Sequence, residues 1–139
     1  MRYMVLLKGD PVTESGAIPT REVVEAMHQF NEELIKAGVM LAADGLHPTS
    51  KGAKVRFGGG SLTVTDGPFA EAKEVIAGFW IWQVKSKEEA VEWLRRSPLI
   101  DSEAEVELRQ IFENEDFGDV LTPEMCARED AMRAQLQQR

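Results

Sequence analysis

The stretch from Val75 to Val84 limits the fold more than any other in the chain. It reads VIAGFWIWQV, a run rich in β-branched and aromatic residues that is apolar at both parities. Successive side chains of a strand point to opposite faces. Phe79 and Ile81 therefore fall on one side, and Trp80, Trp82 and Val84 on the other. A strand greasy on both sides belongs in the middle of a sheet with both faces covered. Tyr3 to Lys8 reads the same way. Tyr3, Val5 and Leu7 share one face, Met4 and Leu6 the other, and Gly9-Asp10-Pro11 ends the run.

Around these two strands the pattern alternates. A helix begins after the N-cap candidate Thr20 and carries Val23, Met27, Phe30 and Leu34 at i, i+4, i+7 and i+11, one continuous stripe. Gly38 is placed to end it. Val39 to Ala43 reads as a short strand. Lys54–Phe57 and Leu62–Thr65 flank Gly58-Gly59-Gly60 as a hairpin, and Asp66-Gly67-Pro68-Phe69 is a further turn. A second helix opens on the capping box Ser86-Lys87-Glu88-Glu89, carries Ala90, Trp93 and Leu94, and stops before Pro98. Glu105 to Phe112 reads as the last strand, with Val106, Leu108 and Phe112 inward. A final helix starts near Pro123. The order β-α-β-hairpin-β-α-β is the split βαβ of an α+β, ferredoxin-like fold with an antiparallel sheet.

In that architecture both helices cover one face of the sheet. The other face is apolar here too, and monomers seldom expose a patch of that kind. The expected remedy is a second copy packed face to face, a homodimer. With 139 residues the chain is one domain long. Residues 1–113 are expected to form it, and residues 114–139 an acidic helical extension. Charge supports the division: 12 basic and 13 acidic side chains in residues 1–100, against 4 and 11 in residues 101–139. A net charge of −8 argues against a direct grip on nucleic acid or an anionic membrane. The lone Cys126 forms no internal disulfide, no apolar run is long enough for a transmembrane helix, and a cytoplasmic location is expected.

No phosphate loop, zinc motif or cysteine pair appears, so neither metal nor cofactor is expected. His28 lies one residue off the apolar stripe of the first helix. It is either a half-buried structural histidine or a proton shuttle at a cleft. His47 follows Asp44-Gly45-Leu46 in a loop and is either a solvated loop residue or a ligand contact. Asp66 at a strand end either caps the turn or joins Glu71 and Lys73 as an acid–base cluster, with Phe69 as its apolar wall. Arg56 and Arg109 are candidate anchors for an anionic small molecule, Arg109 being otherwise an ion-paired strand residue near Glu107 or Glu105.

The string Val64-Thr65-Asp66-Gly67-Pro68-Phe69-Ala70-Glu71-Ala72-Lys73-Glu74, with Ile76-Ala77-Gly78-Phe79-Trp80 after it, resembles the DGPF branch of the YCII-related family. Asp44-Gly45-Leu46-His47-Pro48 and Glu105-Val106-Glu107-Leu108-Arg109 resemble it as well, and the likeness covers about residues 1–113. It implies a dimeric α+β barrel, with a His and an Asp meeting in a cleft between helix and sheet. His28 and Asp44 are the positions nearest to those two, and Asp66 is proper to the DGPF branch. Some relatives act on chlorinated or hydroxylated aromatic rings, and DGPF proteins accompany extracytoplasmic-function sigma factors. Two functions are thus expected. One is a small-molecule site with cofactor-free proton transfer, using His28, Asp44 and Asp66 as catalytic groups and His47, Arg56, Phe69, Glu71 and Lys73 as ligand contacts. The other is a regulatory module whose partner is a sigma factor or another protein.

Overall fold

The computed structural model describes residues 1–69 and 75–138. Its centre is the twin-faced strand predicted above, β5 (Ile76–Gln83). With β1 (Arg2–Lys8), β2 (Met40–Gly45) and β6 (Val106–Gln110) it forms an antiparallel sheet in the order β2-β5-β1-β6. The two most apolar strands, β5 and β1, occupy the middle. Register sets Trp82 opposite Tyr3, and Trp80 opposite Val5, so the aromatic parity of β5 continues across β1.

Helices α2 (Arg21–Lys36) and α3 (Lys87–Arg95) cover that tryptophan face. A shorter helix, α1 (Pro11–Glu14), precedes them in a stretch whose sequence reads as loop. Phe30 and Leu34 from α2 and Ala90 from α3 join Tyr3, Val5, Val39, Trp80, Trp82 and Val84 in the buried core. Burying a side chain of this size contributes about 1.5–3 kcal/mol, which makes this layer the main source of stability. Phe30 meets Trp80 and Trp82 edge to face at 5.9 and 6.3 Å. Both caps follow the residues. Thr20 Oγ1 accepts from Val23 N, and Ser86 Oγ from Glu89 N. At the C-terminus of α2, Gly38 has φ 72°. Its N–H bonds Ile35 O, while Val39 N bonds Leu34 O, a Schellman closure.

The opposite face of the sheet carries Met4, Leu6, Phe79 and Ile81, each half-buried, with no helix of the described residues packed over them. Between β2 and β5 the chain makes a separate two-stranded ribbon, β3 (Ala53–Gly58) and β4 (Ser61–Asp66). It closes through Gly59 and Gly60 at φ 58° and 82°, the left-handed pair that a two-residue hairpin turn requires.

Phe112 departs from expectation. β6 ends at Gln110, where its partner β1 runs out and Ile111 N bonds Arg2 O. Phe112 lies past the sheet, exposed, and stacks on Phe117 at 5.0 Å. After it comes a 3-10 segment, Asn114–Val120, and then α4 (Pro123–Gln137), which buries no residue. No helix of the described residues is long and apolar enough to cross a membrane.

The root of this extension is tied to β1. Arg2 Nε and Nη2 donate to Glu113 Oε1 and Oε2 at 2.8 and 3.2 Å. The Arg2 hydrogen bonds hold the Glu113 carboxyl below the usual carboxylate range. A carboxyl more acidic in the folded chain stabilises it above the unfolded pKa, and that contribution is lost as pH falls through the folded value. Both side chains are partly exposed, so the pair is worth about 0.5–1 kcal/mol. Glu113→Gln is expected to lower stability in urea by that amount at neutral pH. The gap should close in acid, below the folded pKa of Glu113. Equal stabilities at neutral pH would contradict this.

Candidate functional site

Two glycines make room under α2. Gly45 on β2 is the register partner of Gly78 on β5, and Leu7 of β1 lies opposite Gly78 on the other side. All three have the parity of the tryptophan face. Where a side chain would fill the layer there is none, and a cleft of about 490 Å³ opens between α2 and the sheet. A Cβ at Gly45 would meet nothing within 4 Å, whereas one at Gly78 would lie 3.1 Å from Asp44 O. Gly78 is therefore also needed for close strand approach.

The cleft is walled by Leu7, Val24, Met27 and Trp80, with His28 and Asn31 as its polar side chains on the helix. His28 and Asn31 are three apart, so they sit on one helical face. Trp80 Nε1 donates to Asn31 Oδ1 at 2.9 Å. That bond fixes the Asn31 amide and leaves its Nδ2 hydrogens for another acceptor. His28 is exposed and borders the cleft, not half-buried. Asp44 borders the same cleft. It is paired with Phe79, one residue out of phase with Trp80, and shares no hydrogen bond with His28 among the described residues.

The remaining candidates lie elsewhere. His47 and Phe69 line a second cavity of about 400 Å³ with Pro48, Lys51 and Val75. Lys54 Nζ stands 4.6 Å above the Phe69 ring. Asp66 and Arg56 are exposed on the ribbon, opposite Ala53 and Thr63. Glu71 and Lys73 lie outside the described residues. Among the described residues Asp66 makes no hydrogen bond that caps its turn. There Phe69 N bonds Thr49 Oγ1 at 3.0 Å, and that hydroxyl donates to Glu14 Oε2 at 2.6 Å. Glu14 Oε1 also accepts from Thr49 N at 3.0 Å. Nothing local in the sequence signals this Glu14–Thr49–Phe69 relay. It joins α1 to Thr49 across 35 residues, and Thr49 to the turn across 20 more.

The relay explains the glycine of the turn. Gly67 N donates to Gly52 O, and a Cβ on Gly67 would fall 1.7 Å from Thr49 O, a backbone atom. Arg109 does pair within its strand, with Nη1 3.2 Å from Glu107 Oε2. Hydrogen bonds from Arg109 and then Lys8 hold the Glu107 carboxyl below its usual range.

The model of the YCII-related domain matches residues 1–115. An uncharacterised protein of Rhizobium meliloti is 33% identical over 97 residues, spanning 68% of this chain and 78% of that protein. Among solved structures the chain is similar to a 5-chloro-2-hydroxyhydroquinone dehydrochlorinase (TftG) from Burkholderia phenoliruptrix, in complex with 2,5-dihydroxybenzoquinone. The two share 14% identity and a TM-score of 0.48, over 84% of this chain and 98% of that one.

Gly67→Ala is expected to destabilise the protein by about 1–3 kcal/mol, since the clash is with backbone and cannot be relieved by a rotamer change. Thr49→Val should destabilise it less, by removing the hydroxyl from the relay. Thermal unfolding of both variants checks this. A Gly67→Ala protein as stable as the parent would show that the turn does not press on Thr49.

Proposed function

Because the chain belongs to the YCII-related family, we propose that it binds a small organic molecule in the cleft between α2 and the sheet. There it catalyses proton transfer without a cofactor, as an isomerisation or an elimination. The observation that carries this reading is the cleft itself. It is an apolar pocket floored by two glycines, into which one helical face directs an imidazole and an amide whose oxygen is already engaged. A concave apolar site with few, convergent polar groups is what small-molecule recognition needs.

Each group has a role that follows from its chemistry. The His28 imidazole takes a proton from a carbon beside a carbonyl. In an isomerisation it returns that proton to a second carbon. In an elimination the electron pair instead expels a leaving group from the neighbouring carbon. Asn31 Nδ2 donates to the carbonyl oxygen as negative charge gathers there. Trp80 offers a flat wall to an aromatic or conjugated substrate. Asp44 borders the cleft but has the parity of Phe79, on the other face of the sheet, and takes no step in this chemistry. The turn Asp66-Gly67-Pro68-Phe69 supports assignment to the DGPF branch. In this reading His47 and Phe69 in the second cavity, Asp66 and Arg56 on the ribbon, and Glu71 and Lys73 are further ligand contacts.

The same reading includes a homodimer. Met4, Leu6, Phe79 and Ile81 form an apolar face over which no helix of the described residues packs, and an identical sheet stacked on it would exclude water from all four.

The test uses hydroxylated and chlorinated aromatic compounds, with tryptophan fluorescence as the binding signal. The parent protein is expected to give saturable quenching. Gly45→Leu should abolish it with unfolding unchanged, because the new side chain enters open space. His28→Ala should still bind, with turnover of any converted compound reduced about 10²–10⁴-fold. Identical quenching in the parent and Gly45→Leu proteins would overturn the assignment of the cleft.

A further inference from the structure

Which molecules the cleft admits depends on the polar groups it offers them. The Asn31 amide is the first. An indole N–H can only donate, so the amide must turn its oxygen to Trp80 Nε1, as the 2.9 Å contact requires. Asn31 is half-buried and borders the cleft. With its oxygen engaged, the amide has only N–H donors left for a ligand. A carbonyl oxygen, which carries lone pairs and no hydrogen, is the matching group.

Charge is the second selector. Of the described residues that line the cleft none is Lys or Arg, and the acid there is Asp44. The helix surface beside His28 is acidic as well. Glu25 lies three residues before it and Glu32 four after, both exposed. Arg21 stands two turns back, about 10 Å along the helix axis, and is not among the lining residues. A carboxylate set against Val24, Met27 and Trp80 would give up its hydration with no cation to replace it, the costly way to bury an ion. A carboxylate also stabilises the protonated form of a neighbouring imidazole, and imidazolium has no lone pair with which to take a proton from carbon.

We propose that the cleft selects uncharged ring compounds bearing a carbonyl oxygen and turns away the corresponding ring carboxylates. The carbonyl oxygen accepts from Asn31 Nδ2, and the ring lies along Trp80. The proposal rests on the cleft of the preceding reading and gives that cleft a substrate class. Trp80 sets the class twice, as the flat wall and as the donor that fixes which end of the Asn31 amide a ligand meets.

The test compares 4-hydroxyacetophenone with 4-hydroxybenzoate by isothermal titration calorimetry on the full-length chain at neutral pH. The two share a ring and a hydroxyl, but the first is an uncharged ketone and the second a carboxylate. The ketone is expected to bind about tenfold more tightly or better, and Gly45→Leu should abolish its binding. Asn31→Asp keeps an acceptor for Trp80 Nε1 while removing the donors, and should weaken the ketone about tenfold. Near-ultraviolet circular dichroism checks that the aromatic cluster stays intact in that variant. Val24→Lys puts a cation on the wall at a side chain already 37% exposed. It should strengthen the carboxylate about tenfold, an effect that fades at high salt. Equal binding of ketone and carboxylate, both lost in Gly45→Leu, would overturn the charge selection and leave the cleft in place. Ketone binding indifferent to Asn31→Asp would overturn the acceptor assignment and spare the cleft as well. No binding of either compound, where chlorinated phenols still quench tryptophan fluorescence, would overturn this proposal alone. Ketone binding indifferent to Gly45→Leu would overturn the proposal and the cleft together.

Discussion

Everything in this molecule depends on the way the Trp80–Trp82 side of β5 is covered. Trp82 is fully buried and Trp80 nearly so, and Phe30 stands edge-on to both. That contact sets α2 on the sheet and, through Trp80 Nε1, locks the Asn31 side chain. Moving α2 would break the aromatic cluster and the amide hydrogen bond together. The helix is thus held firmly beside a place where the sheet has no side chains, and the cleft is a by-product of the same packing that stabilises the fold. Trp82 Nε1 is the reverse case, buried without a hydrogen-bond partner among the described residues. Leaving such a donor unmet costs about 1–3 kcal/mol, which the aromatic packing must offset.

The fold was largely legible because its signals are local and repeat. The two-faced apolar strands became the central pair, and Thr20, Ser86 and Gly38 cap the helices as their chemistry predicts. Phe112 misled because it keeps the parity of Val106 and Leu108, but a strand ends where its neighbour ends, and β1 begins at Arg2. Parity says nothing of where the partner stops. The short helix α1 escaped notice because its capping box, Asp10 with Thr13, spans a single turn that also reads as a loop.

The candidate site was only partly legible. Polar residues near strand ends can be picked out, yet which of them meet depends on contacts between distant segments. His28 and Asp44 border one cleft, His47 and Phe69 another, while Asp66 and Arg56 stand on the ribbon. The feature that creates the cleft is an absence of side chains at Gly45 and Gly78. That absence means something only once strand register brings the two glycines together. Asn31 was missed for a related reason, since its value lies in a hydrogen bond to a residue 49 positions away.

The most direct measurement is an amide and indole NMR titration of the protein with a hydroxylated aromatic compound that it binds. The account predicts that the Trp80 indole N–H, the Asn31 side-chain amide and the backbone amides of Gly45 and Gly78 shift together, with the Trp82 indole little changed. Shifts confined to the His47 and Phe69 region, with Trp80 and Gly45 unmoved, would contradict it.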